Sequence, residues 1–219
     1  MVSIEWHDGV ALVRLGAEQN MVNGDFVDGI NGALDEIEAS PDAKALVTAG
    51  EGKFYSYGFD LEYIQSLGAD GDAFLNRSRT LMARMMTFGF PTVAALNGHA
   101  FGAGAMFALV HDQRVARRDR GWFCFPEVDI GLRLHPFMLA FTRARLGDAV
   151  ALEALTAGRR YDGEAAVAAG IASSSVAEVE LIAAAIDLAT ARAGKNPEMV
   201  AQMKRDLYAP VLAAFDASE

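Results

Sequence analysis

Basic residues are scarce in this chain: 19 Lys and Arg stand against 29 Asp and Glu, a formal charge of −10. A nucleic-acid partner needs a basic stripe, so that class is excluded, whereas a small anionic ligand held by a local basic site is not. Cysteine is nearly absent. Cys124 alone allows no intrachain disulfide, which suits a reducing compartment. Its place in the run Trp122-Phe123-Cys124-Phe125 reads as a buried structural thiol rather than a nucleophile. No stretch approaches ~20 uncharged apolar residues, so no membrane-spanning helix is expected. The N-terminus carries Glu5 and Asp8 and lacks the basic start and apolar run of a signal peptide. The expectation is a soluble cytoplasmic protein.

Several chemical signatures are missing as well. His7, His99, His111 and His135 show no H-E-x-x-H or comparable ligand spacing, so no metal site is expected. No serine sits in G-x-S-x-G, which excludes the hydrolase elbow. Gly102-Ala103-Gly104 starts like a dinucleotide loop, but Phe107 occupies the third glycine position. Lys53 lacks the Ser or Thr that follows the lysine of a phosphate-binding P-loop.

What is present is an apolar chain of 219 residues, 52% hydrophobic with a mean hydropathy of +0.17. That length supports one large core, and the apolar surplus points to a subunit interface besides. Val2 to Trp6 and Val10 to Leu15 read as a hairpin about Asp8-Gly9. Asn23-Gly24-Asp25 opens a helix with Phe26, Ile30, Leu34 and Ile37 at helical spacing, and Ser40-Pro41 ends it. Strands are expected at 44–49, 92–96, 114–116 and 122–125, and helices at 61–67, 73–88 and 103–110. Strand–helix alternation through the first two-thirds indicates stacked β-β-α units with a partly parallel sheet. From His135 onward the chain reads as almost wholly helical, with Asn196-Pro197-Glu198 a further helix start. The expected organisation is a single α/β domain, with a core over 1–190 and a C-terminal helical segment over 191–219.

Two glycine-rich stretches carry the chemistry. Ser56-Tyr57-Gly58-Phe59-Asp60-Leu61 and Asn97-Gly98-His99-Ala100-Phe101-Gly102-Ala103-Gly104-Ala105-Met106 each follow a strand and lead into a helix. Brought together, they would aim two backbone N–H groups at one point, as an oxyanion hole does; the alternative is that the glycines only permit tight turns and close packing. Glu127, after Pro126 and an aromatic strand, is either an exposed turn carboxylate or a desolvated one with a raised pKa, fit to move protons. Asp60 reads as a helix cap, and Asp112 as structural.

Four anchors in order, 52–61, Pro91 to Gly98, Phe101 to Gly104, and Phe125-Pro126-Glu127, resemble the crotonase (enoyl-CoA hydratase/isomerase) superfamily over nearly the whole chain. The resemblance implies a crotonase-like spiral of β-β-α units, followed by helices that build a homotrimer or a dimer of trimers. It implies an acyl-CoA thioester as substrate and no other cofactor. By motif position the oxyanion donors are Phe59 and Ala103, and Ser56 and Tyr57 lie toward the adenine pocket. Leu61, Met106, Leu132 and Phe137 are candidate acyl-pocket walls. The family's two-carboxylate hydratases carry a first Glu where this chain has Met106, and only the second is kept, as Glu127. The sequence is therefore most like the Δ3,Δ2-enoyl-CoA isomerases, and 116–121 with 127–132 looks especially like their plant peroxisomal branch. The ending Asp216-Ala217-Ser218-Glu219 is no peroxisomal address, so a bacterial cytoplasmic relative is expected. The expected activity is conversion of 3-enoyl-CoA to 2-enoyl-CoA through an enolate, with one Glu as proton shuttle. The alternatives are a hydratase or other enolate-forming reaction, and a non-catalytic acyl-CoA-binding protein.

Overall fold

The computed structural model describes residues 1–216; the tail that bears on cellular address lies largely beyond them. Strands β1 (Ser3–His7) and β2 (Val10–Arg14) form the expected hairpin, with Asp8 and Gly9 in the left-handed region its tight turn requires. Helix α1 (Gly24–Ala39) follows, capped by Asn23 Oδ1, which accepts from Phe26 N–H at 3.1 Å. Next come β3 (Ala45–Ala49), β4 (Phe54–Ser56), α2 (Leu61–Ser66) and α3 (Gly71–Met86). The pattern repeats with β5 (Thr92–Leu96), β6 (His99–Phe101) and α4 (Ala103–Leu109). It repeats again with β7 (Gln113–Arg117), β8 (Phe123–Cys124) and α5 (Pro136–Thr156). The chain closes with α6 (Gly163–Ala168), β9 (Ser174–Val176), α7 (Leu181–Thr190), α8 (Pro197–Leu207) and α9 (Ala209–Asp216).

The main sheet has the order β1-β2-β3-β5-β7-β9 and is parallel except for the opening hairpin. A second, all-parallel sheet holds β4, β6 and β8. Each of β3, β5 and β7 thus feeds a strand of the small sheet before the chain turns into a helix, which makes the stack a spiral.

The inner strands β2, β3 and β5 are buried on both faces, which accounts for their nearly unbroken apolar sequence. Val10, Leu12, Val47, Val93 and Val115 point to one face, where α7 lays Leu181, Ala185 and Ala189 against them. The intervening Ala11, Val13, Leu46, Ala94 and Leu96 point to the other, into the larger core shared with α1, α3 and α4. This alternation is the period-two geometry of a strand.

After His135 one short strand interrupts the helices: Ser174–Val176 pairs with β7 as the last strand of the main sheet. Its half-buried Ser-Ser-Val carries no alternating pattern, so only its pairing partner defines it. The small sheet was also hidden, because β4 and β6 are three residues each and lie inside glycine-rich stretches.

Candidate active site

The three strands of the small sheet end side by side, and each delivers one functional group. β4 runs into Tyr57-Gly58-Phe59, β6 into Gly102-Ala103, and β8 into Phe125-Pro126-Glu127. Ligand sites form outside the carboxyl ends of parallel strands because the chain turns there and leaves backbone groups unpaired.

In the first turn, Val22 N–H donates to Gly58 O (2.8 Å) and Asp60 N–H donates to Val22 O (3.2 Å). Successive amides of extended backbone face opposite ways, so Phe59 N–H points away from this bridge. In the second turn, Gly102 N–H donates to Cys124 O at 3.0 Å. Ala103 is the first residue of α4, and its N–H has no carbonyl one turn back to meet. The two turns touch: a Cβ on Gly58 would lie 3.4 Å from Ala103 N and 2.8 Å from Phe101 O. Gly102 has φ 50 and ψ −123, a conformation open only to glycine, and it reverses the chain from β6 into α4.

Glu127 sits in a 3-10 turn over Pro126–Val128, 8% exposed. A Cβ on Gly102 would lie 3.0 Å from its Oε1, which places the carboxyl beside the Gly102-Ala103 turn. Its Oε2 is buried without a hydrogen-bond partner, and burial raises its pKa above the ordinary 4.5. Among the described residues it is the one carboxylate oxygen buried in this way.

Phe59, Ala103 and Glu127 line one cavity of about 330 Å³, together with Tyr57, Leu61, Phe101, Leu132 and Arg160. Tyr57, expected toward an adenine pocket, and Leu61 and Leu132, expected on acyl-pocket walls, all border this one cavity. Ser56, named for the adenine pocket, and Met106 and Phe137, named for the acyl pocket, are not on its wall. Ser56 is fully buried, and its hydroxyl donates to Asn20 O (2.7 Å), which shapes the turn from behind. Met106 is 1% exposed in the core. Phe137 is fully buried, with its ring edge-on to Phe141 and Phe215. Arg160, whose guanidinium stacks 5.1 Å over Trp122, and Cys124 also border the cavity, and nothing local in the sequence marks either. Cys124 is buried, with Sγ donating to Gly158 O (3.3 Å). Asp60 caps α2 by accepting from Tyr63 N–H (3.0 Å), and Asp112 pairs with Lys204 at 2.7 Å. Among the described residues no group of three or more His, Cys, Asp or Glu side chains converges on a metal-sized site.

A buried polar chain ties the β4 turn to helix α4. Thr48 Oγ1, on β3, meets Tyr55 OH at 2.7 Å and His111 Nε2 at 2.9 Å. His111 Nδ1 in turn lies 2.8 Å from Phe107 O of α4. Tyr55 stands four residues before Phe59, and α4 begins at Ala103, so one hydroxyl braces both segments. Burial lowers the His111 pKa to about 3, so its ring is neutral.

Two sheets that spiral through β-β-α units thus bring two glycine turns and one buried carboxyl to a single cavity. The family model described as enoyl-CoA hydratase/isomerase matches residues 5–216, and the chain belongs to that family, with the crotonase-like fold. It is 33% identical to enoyl-CoA delta isomerase 3 of Arabidopsis thaliana, over 99% of this chain and 95% of that protein. A probable enoyl-CoA hydratase of Bacillus subtilis is 29% identical, over 91% of this chain and 78% of its own. The apo structure of a Mycobacterium tuberculosis enoyl-CoA isomerase superposes with a TM-score of 0.90 at 28% identity, covering 99% and 95% of the two chains. Among the described residues no helix is long and apolar enough to cross a membrane.

Proposed function

We propose that the protein is a Δ3,Δ2-enoyl-CoA isomerase. The observation that carries this reading is a single desolvated carboxyl, Glu127, on the wall of the cavity that Phe59 and Ala103 also line. The thioester oxygen accepts from Phe59 N–H and Ala103 N–H. Ionised Glu127 removes a proton from C2; the C2–H electron pair moves into the conjugated system, and the negative charge rests on the thioester oxygen as a dienolate. Preorganised amides stabilise that charge where it develops. Glu127, now protonated, returns the proton at C4, and the double bond lies between C2 and C3. No cofactor beyond the substrate's own coenzyme A enters this route.

Hydration of a 2-enoyl thioester needs a second group to hold and activate water. The position the family's hydratases use is Met106, a side chain with no proton to exchange and no place on the cavity wall. A homotrimer or dimer of trimers belongs to the same reading, supported by Met199, Met203 and Leu207, which stand exposed at helical spacing on α8. So does a cytoplasmic place, which the lone unpaired Cys124 suits.

The test incubates purified protein with trans-3-hexenoyl-CoA and, separately, with trans-2-hexenoyl-CoA, and separates the products. Conversion of the first without hydration of the second is expected. Hydration of the second at a comparable rate overturns the isomerase reading, and turnover of neither leaves a binding protein.

A further inference from the structure

A larger apolar groove of about 720 Å³ adjoins the reaction cavity, and Glu127 and Leu132 border both. Its far wall is α5, which is broken at Gly147 (φ 71, ψ 166). The break turns two helical halves toward the same space, Leu139 from the first and Ala151, Leu152 and Leu155 from the second. Leu139 and Leu152 are 41% and 65% exposed, so the groove presents apolar surface that none of the described residues covers.

The proposed reaction sets the direction in which a substrate must run. The thioester carbonyl lies at Phe59 and Ala103, and one carboxyl must reach both C2 and C4. Carbons beyond C4 therefore leave the reaction cavity past Glu127, on the side away from the thioester. The α5 groove meets the reaction cavity at Glu127 and Leu132. We propose that this groove holds the distal acyl tail, so that the enzyme prefers 3-enoyl-CoA substrates with long unbranched chains. Leu139 and Leu152 act in this as specificity-determining residues. The inference rests on the acyl-CoA reading of the site. The hydrophobic effect gives it a direction: each methylene fully buried is worth about fourfold in affinity.

The test compares trans-3-hexenoyl-CoA, with two carbons beyond the migrating double bond, and trans-3-dodecenoyl-CoA, with eight. The wild-type protein is expected to favour the longer substrate at least about tenfold in kcat/KM. Leu139→Trp fills the groove and Leu152→Glu places a charge in it. Each is expected to cut the dodecenoyl-to-hexenoyl ratio about fivefold or more, with kcat/KM for hexenoyl-CoA within about twofold of wild type. A flat wild-type profile, or variants that lower both substrates equally, overturns the proposal. A changed oligomeric state by light scattering with the ratio retained also overturns it, and assigns the groove to a second copy of the chain. Binding of saturated hexanoyl- and dodecanoyl-CoA, followed by calorimetry, separates this from the isomerase reading. Length-dependent binding lost in both variants, without isomerisation, supports the groove and sinks the isomerase. Isomerisation with length-independent binding does the reverse.

Discussion

Two buried titratable groups lie within one spiral turn of each other and have opposite surroundings. His111 is fully buried, and both ring nitrogens are engaged, one by Thr48 Oγ1 and the other by Phe107 O. Glu127 is nearly as buried, yet its Oε2 meets no partner and its Oε1 faces the backbone of Gly102. Desolvation moves both toward the neutral form, His111 downward and Glu127 upward. A buried polar group whose bonds are complete contributes order. One left incomplete at a cavity wall costs stability, and the free valence is what a substrate proton can use. The comparison separates the frame of the site from its chemistry.

The largest effect should come from Glu127→Gln, which keeps the shape and removes the base. Isomerisation is expected to fall about 10²- to 10⁴-fold, measured by product separation, and the assignment is wrong if activity survives. The same variant should be more stable than wild type at pH 7 by about 1 kcal/mol in denaturant titration, since a desolvated charge is gone. In the wild type, kcat/KM should fall as the pH drops through the raised Glu127 pKa, above the ordinary 4.5, because the proton acceptor must be ionised.

His111→Leu attacks the frame instead. It leaves Phe107 O without its donor and the Thr48 hydroxyl proton without its acceptor, both buried, and should cost about 3 kcal/mol of unfolding free energy. The two groups also pull stability against pH in opposite directions. His111 has a depressed folded pKa, so its stabilisation is present above 6.5 and is lost as the pH falls toward 3. Glu127 has a raised one, so its contribution is full below 4.5 and is lost as the pH rises through the folded value. Urea midpoints between pH 4 and 8 should show a shallower acid decline for the His111 variant and a flatter upper limb for Glu127→Gln. Parallel curves for all three proteins would erase the distinction.

Gly104→Ala joins frame and chemistry. A Cβ there would lie 2.4 Å from Ser56 O, and backbone must move to admit it. Alanine ordinarily favours a helix over glycine; here the variant should lose about 2 kcal/mol. It should also lower kcat about tenfold, because the α4 amide shifts relative to Phe59. The smallest change is Tyr55→Phe, which removes one hydroxyl and leaves Thr48 bonded to His111. About 1 kcal/mol is expected, with a fall in kcat and an unchanged KM if the brace aligns the oxyanion arms. An unchanged kcat would confine the brace to folding.

Much of this was legible before any tertiary contact was known. The Asp8-Gly9 hairpin, the Asn23, Asp60 and Asn196 caps, and the helical and strand periods are local chemistry, and each is realised where it was read. β9 was not legible, because Ser174–Val176 has no pattern of its own and becomes a strand only when β7 offers its edge. The same limit governs the site. Phe59, Ala103 and Glu127 stand at strand ends, where spacing along the chain sets their place, and all three border one cavity. Ser56, Met106 and Phe137 turn into the core instead, while Arg160 arrives at the cavity from a distant segment.

The sequence by itself determined the order of turns, the glycines that permit them and the place of Glu127 directly after an aromatic strand and Pro126, all properties of a few adjacent residues. Only the tertiary structure decided which side chains face the cavity, that one oxygen of Glu127 is left unpartnered, and that a second apolar groove opens beyond it. Those depend on how three short strands align and where α5 breaks, and such relations between distant residues become physical only when the chain has packed.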